Sequence, residues 1–239
     1  MTSERETERT TALDLLAFGA HPDDAEIGMG GTIAKHAAAG LRVGVCDLTR
    51  AELSSNGNPE LREREAAAAS EALGLAYRSN LGLPDRGLTG TEEQLRSIVR
   101  EIRTLRPRIV FAPYWKDRHP DHVACSALIQ EAAFNAKLRR WMPEVPAWTV
   151  ERVYFYFIND VDEAAAAVDV SDVYDRKMAA LGAYRSQFER IGDDDVPTPL
   201  NQGYLRNVEH RDRLLGHSLG VGHAEGFAAK IPPLLPLFT

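Results

Sequence analysis

The sequence predicts an α/β fold: a Rossmann-like, mostly parallel sheet with helices on both faces, in one domain. Two observations carry this. Short apolar runs alternate with helical patterns through the first half of the chain, which is the signature of parallel strands joined by crossover helices. The helical stretches also stop at glycine or proline, so the units are cleanly separated. The 239 residues, 44% of them hydrophobic, are enough for one sizeable core. No linker divides the chain, so residues 12–239 read as the domain and the polar residues 1–11 as a disordered leader.

Residues 14–20 (DLLAFGA) are apolar throughout and predict a buried first strand. Residues 30–39 predict a helix ended by Gly40, a residue type suited to a left-handed cap. Residues 41–48 predict the second strand. Residues 59–73, rich in Ala, Glu and Arg, predict a helix ended by Gly74. A third strand is expected over 75–80. Residues 91–105 are acidic in the first turn and basic in the last, as a helix dipole prefers, and Pro107 ends them. Residues 108–112 (RIVFA) predict the fourth strand and 121–138 the next helix. Further on, 150–158 predict a strand, and 173–188 and 201–215 predict helices. Ala164–Ala167 reads as an Ala-rich helix turn, and residues 141–148, with two tryptophans and two prolines, as a loop.

The formal net charge of −7 offers no footprint for nucleic acid. No run is long enough to cross a bilayer. The apolar residues 231–239 are broken by prolines and are expected to pack on the body or at a subunit contact. Two cysteines, Cys46 and Cys125, read as buried free thiols in a reducing cytosol.

In a parallel sheet ligands bind beyond the carboxyl ends of the strands. The first strand runs directly into His21-Pro22-Asp23-Asp24, and the fourth leads to His119-Pro120-Asp121-His122. Two His/Asp clusters therefore share one sheet edge. A catalytic zinc needs three nitrogen or oxygen ligands and one open position. His21, Asp24 and His122 suit those three places. Asp23, beside the metal but turned away from it, suits a general base, and His119 suits the group that protonates or stabilises the opposite side. Asp23, Asp24 and Asp121 taken singly would serve as helix N-caps; the joint placement favours the metal. The dinucleotide alternative, with Asp47 at the end of the second strand, fails because G-x-G-x-x-G is broken. The same ligands would serve a non-haem iron oxygenase. A non-catalytic sugar-binding module with a closed structural metal is disfavoured because neither Cys lies in the clusters.

These pieces resemble the LmbE-like/PIG-L family of zinc-dependent N-deacetylases, through Ala20-His-Pro-Asp-Asp-Ala-Glu26-Ile-Gly28 and His119-Pro-Asp-His122. Segments 47–53, 60–66 and 80–85 and His223-Ala-Glu-Gly-Phe227 are similar to the bacillithiol-pathway deacetylases, which act on N-acetylglucosaminyl-malate. The resemblance implies one Zn²⁺ per chain on His21, Asp24 and His122. It implies Asp23 as base, His119 as acid or oxyanion partner, and Asp121 as a residue orienting His119 or its neighbours. It implies Arg62 on a malate carboxylate, and Asp85 and Tyr114 along the sugar. An amino-sugar substrate, with other N-acetylglucosamine derivatives or thiol-conjugate amides as alternatives, and a homo-oligomer, up to a hexamer, are further implications. The chain departs from the family pattern at Ala51, where glycine is usual.

Overall fold

A computed structural model describes residues 12–192 and 194–234. The expected leader, residues 1–11, lies outside the described residues. Among those described, one sheet has seven strands in the order β3-β2-β1-β4-β5-β7-β6. The strands are β1 (Leu15–Gly19), β2 (Val43–Thr49), β3 (Tyr77–Leu83), β4 (Ile109–Pro113), β5 (Arg152–Tyr156), β6 (Ala166–Asp169) and β7 (Ala224–Ala228). Strands β1 to β5 pair in parallel. The last two join antiparallel.

The helices are α1 (Asp24–Ala38), α2 (Pro59–Leu73), α3 (Glu92–Leu105), α4 (Pro120–Ala136), α5 (Tyr174–Ala183), α6 (Arg185–Phe188) and α7 (Tyr204–Leu219). They cover both faces over two apolar clusters. One joins β1 and β2 to α1, α2, α5 and α6, and includes Ile33, Val45, Leu73 and Leu181. The other joins the opposite faces of β1 and β4 to α3 and α4, and includes Leu16, Phe18, Ile98 and Ile129. Local chemistry starts the helices. The Asn58 side chain accepts from the Leu61 N–H ahead of Pro59, and Thr91 accepts from Gln94. Gly74 ends α2 at φ 72°.

Several expectations are corrected. Helix α1 begins at Asp24, not residue 30, and is broken at Met29 (φ −150°, ψ 24°). Ala164–Ala167, expected as a helix turn, instead leads into strand β6 (Ala166–Asp169), because β7 offers it a ladder; pairing overrides the propensity of alanine. Strand β7 itself comes from His223-Ala-Glu-Gly-Phe227, which carries no strand pattern. The expected helix 173–188 is a 3₁₀ turn, then α5 and α6, broken at Tyr184. His119, not Asp121, caps α4, its side chain accepting from the Asp121 N–H.

The 141–148 loop is held by Arg103, which is fully buried. Its five N–H groups go to the carbonyls of Asn135, Ala136, Leu138, Met142 and Val145. Trp148 Nε1 donates to Pro107 O at 2.8 Å. Of the expected apolar tail, Ile231 and Leu234 are exposed on this chain, and residues 235–239 lie outside the described residues. No described helix is long and apolar enough to cross a membrane.

Candidate metal centre and catalytic cleft

Strand β1 lies between β2 and β4, and the chain leaves it in opposite directions on the two sides. That switch point opens a crevice at the carboxyl ends of the strands. Both sequence clusters lie there, at the end of β1 and beyond the end of β4. They line a cleft of about 460 Å³ with His21, Asp23, Asp24, His119, Arg118 and Asp85 among its walls. That volume is within the range of small-molecule sites.

Asp24 lies between the two imidazoles. Its Oδ1 is 3.1 Å from His122 Nε2 and its Oδ2 is 3.7 Å from His21 Nδ1. The nitrogens on the far sides of both rings are held by other carboxylates. His21 Nε2 is 3.1 Å from Asp85 Oδ1 and 3.5 Å from Asp121 Oδ2. His122 Nδ1 is 3.0 Å from Asp117 Oδ1. Each ring thus offers one nitrogen toward Asp24 while the other is oriented by a carboxylate, the arrangement that raises the basicity of metal-binding histidines. This is a donor set that fits a divalent cation. His119 completes a group in which His21, His119 and His122 bring ligand atoms within 4.8 Å of one another. His21, Asp85 and Asp121 form a second such group, but there the carboxylates approach the His21 nitrogen that faces away from Asp24.

The electrostatics follow from the same contacts. Burial would lower the His122 pKa, but Asp24 and Asp117 overcome it and raise it to about 9. His21 is also raised: burial opposes this, and Asp121, Asp24 and Asp85 outweigh it. Burial would raise Asp24, but His122 and His21 hold it well below the usual carboxylate range. A cation bound here would compete with protons for the same ring nitrogens.

Asp23 has the conformation of a functional residue. Its φ is 115°, in the left-handed region, which costs a non-glycine residue about 1–3 kcal/mol unless the surroundings impose it. Arg62 imposes it. Arg62 Nε and Nη2 donate to Pro22 O at 3.0 and 2.8 Å, and Nη2 donates to Asp23 Oδ2 at 2.9 Å. Burial raises the Asp23 pKa to about 7, against the lowering effect of Arg62. A carboxylate with such a pKa is matched to proton transfer near neutrality.

His119 accepts the Asp121 backbone N–H on Nδ1 at 3.2 Å. That bond assigns the neutral tautomer with its proton on Nε2. Burial, His122 and His21 all lower its pKa, so it stays neutral and offers a donor.

Of the remaining predicted site residues, Arg62 and Asp85 line the cleft and Tyr114 does not. Asp121 reaches His21 and Arg86 with its side chain and meets His119 only through its backbone. Asp85 faces His21 and accepts the Leu53 N–H. Arg62 is spent on Pro22 and Asp23, with only Nη1 left unbonded and buried. Tyr114 is buried in the core and donates to Asp162 at 2.7 Å, because the chain turns into the cleft only after it. Asp47, the ribose-binding alternative, is paired with Arg78.

Three residues escaped the sequence reading. Asp117 is held by the backbone N–H and side-chain amide of Asn159 and bonds His119 N and His122 Nδ1. Arg118 is exposed on the cleft wall. The available signal was position alone: all but Asn159 stand one to five residues before His119 and His122.

The PIG-L family, described as GlcNAc-PI de-N-acetylase, matches residues 16–133. Diacetylchitobiose deacetylase of Thermococcus kodakarensis is 31% identical over 87% of this chain and 81% of its own. A probable N-acetyl-alpha-D-glucosaminyl L-malate deacetylase 2 of Bacillus cereus is 29% identical over 73% of this chain and 83% of its own. Among solved structures, the conserved protein TT1542 from Thermus thermophilus superposes with a TM-score of 0.87 at 43% identity, over 95% of this chain and 99% of that one.

Proposed function

This chain belongs to the PIG-L family, and on that premise we propose that it is a zinc-dependent hydrolase. It removes the N-acetyl group from an N-acetylglucosamine conjugate, most specifically one with an acidic aglycone such as malate. The observation that supports the reading is Asp24 within 3.7 Å of the His21 imidazole and 3.1 Å of the His122 imidazole, with Asp23 next to it in the chain.

Zinc on those three ligands would supply Lewis-acid polarisation of the amide carbonyl and acidify a water. The chain's own groups do the rest. Asp23, held by Arg62, takes the proton of the attacking water. Neutral His119 donates from Nε2 to the oxygen that becomes negative as the carbonyl carbon turns tetrahedral. The proton held by Asp23 is then passed to the departing amine, leaving acetate and the free amino sugar. Asp85, Asp121 and Asp117 keep the two ligand imidazoles oriented.

Two observations support the acidic conjugate. Arg118 stands on the cleft wall with no carboxylate partner among the described residues, and Arg86, half-exposed and paired with Asp121, lines the same cleft. The Bacillus cereus relative named for an N-acetyl-glucosaminyl malate is the analogy that gives the aglycone its identity.

The test is acetate release from the malate conjugate, from diacetylchitobiose and from N-acetylglucosamine, with and without chelator. The expected result is highest kcat/KM on the malate conjugate, abolished by chelator and restored by zinc. A preference for diacetylchitobiose unaffected by Arg118→Ala overturns the acidic aglycone. Restoration by ferrous iron with oxygen consumption overturns the hydrolase.

A further inference from the structure

Helix α1 carries Asp24 in its first turn and is broken one turn later, at Met29. In a continuous helix the Gly31 N–H would bond the Ile27 carbonyl. Here each of those two groups has a side-chain partner. Arg211 Nη2, from α7, donates to Ile27 O at 2.7 Å. The Glu225 carboxylate, from β7, accepts the Gly31 N–H at 2.9 Å and the Thr32 N–H at 2.6 Å. Glu225 therefore caps the second segment as an acidic residue caps any helix start.

The two partners are themselves joined. Lys177, fully buried on α5, donates to Glu225 Oε1 at 2.7 Å and to Asp212 Oδ2 at 2.6 Å. Asp212 Oδ1 accepts from Arg211 Nε at 2.9 Å. Arg211 Nη1 also bonds Phe157 O and Ile158 O, just beyond β5. The glycines around the break are where this packing needs them. A Cβ on Gly28 would lie 2.1 Å from the Tyr156 ring, and one on Gly31 2.7 Å from Val170.

We infer that Arg211, Asp212, Lys177 and Glu225 form a positioning device that holds the helix break and thereby aims Asp24 at the metal site. They are positioning residues: none touches the cleft's proposed reacting atoms. The chain of cause is mechanical. The first segment, Asp24–Gly28, is a single turn, and one turn does not hold its own direction in isolation. It is fixed at one end by strained Asp23 and Arg62 and at the other by Arg211 on Ile27 O. A buried ion chain is poor evidence of stabilisation, since well-packed apolar side chains often serve as well. Its use here is to specify one backbone geometry.

This inference rests on the metal reading above, and the experiment separates the two. Zinc affinity is measured by chelator competition, alongside kcat and KM, on wild type, Asp24→Ala, Arg211→Met, Arg211→Lys and Glu225→Gln. Ile102→Ala, in the opposite apolar cluster, is the control for simple loss of stability. Expected are loss of zinc in Asp24→Ala, and about 10- to 100-fold weaker zinc and lower kcat in Arg211→Met and Glu225→Gln with KM within about twofold, the range for residues that orient ligands. Arg211→Lys keeps the charge but loses the fork and should recover melting temperature without recovering zinc affinity. Ile102→Ala should lower the melting temperature and leave zinc affinity unchanged. If Asp24→Ala still binds zinc as wild type does, the metal reading fails. If Asp24→Ala loses zinc while the Arg211 and Glu225 variants keep it, or weaken it no more than Ile102→Ala, the positioning device is overturned.

Discussion

The two segments that meet in the cleft are built in opposite ways. The 117–122 segment takes much of its support from within, with Asn159 adding two bonds to Asp117 from afar. Asp117 bonds His119 N and His122 Nδ1 within five residues, His119 caps its own helix, and Pro120 fills the first helical position. The 21–24 segment is held from afar. Its supports are Arg62, Asp85 and Asp121, at 39, 64 and 100 residues' remove, and the Arg211 clamp beyond them. It also contains the strained residue, Asp23. A segment assembled by neighbours keeps a relaxed backbone; one assembled by distant partners can be held in a conformation it would not choose.

The largest effect should come from the strained side. Asp23→Asn should cut kcat by about 10²–10⁴-fold, the usual worth of a positioned acid–base group, with zinc content unchanged on metal analysis. Full turnover in that variant would show that another group takes the water's proton. Next, Arg62→Met leaves a buried carboxylate without its cation. About 3 kcal/mol of stability should be lost in urea unfolding, as when one partner of a buried pair is removed. On the local side, Asp117→Ala should weaken zinc about 10- to 100-fold in chelator competition while changing the urea midpoint less than Arg62→Met. Equal midpoints would erase the contrast between the segments.

A smaller effect runs through pH. Burial would raise the Asp212 carboxyl, but Lys177 and Arg211 hold it below its ordinary value. The folded pKa is depressed, so this stabilisation is present above the unfolded value of about 4 and fades as pH falls through the folded value. Asp212→Asn should show a flatter stability profile than wild type below about pH 4, and parallel profiles would contradict the pairing. The smallest change concerns Ala51, at φ 52° and buried. Alanine there bears strain that glycine avoids, so Ala51→Gly should raise stability by about 0.5–1 kcal/mol in the same unfolding assay.

The same contrast governs what could be read in advance. The β1–β4 core was legible because each strand and crossover helix carries its own pattern, and Gly74 and Pro107 mark boundaries by local chemistry. The ligand candidates were legible because parallel topology places the ends of β1 and β4 at one edge. The far edge was not. Strand β6 is alanine-rich and exists because β7 pairs with it, and the α1 break depends on side chains more than 180 residues away. Tyr114 was misplaced for a related reason: motif position does not say which way a side chain leaves the backbone.

Arg103 carries a separate consequence. All five of its N–H groups bind backbone carbonyls in residues 135–145 and none binds a side chain. The clamp is therefore blind to the identity of the residues it holds. Exposed positions in that stretch, such as Arg139 and Arg140, can change freely while its path stays the same, whereas Arg103→Lys, with three donors for five acceptors, would strand at least two carbonyls. The loop is a frame on which new side chains can be displayed without redesigning the chain beneath them.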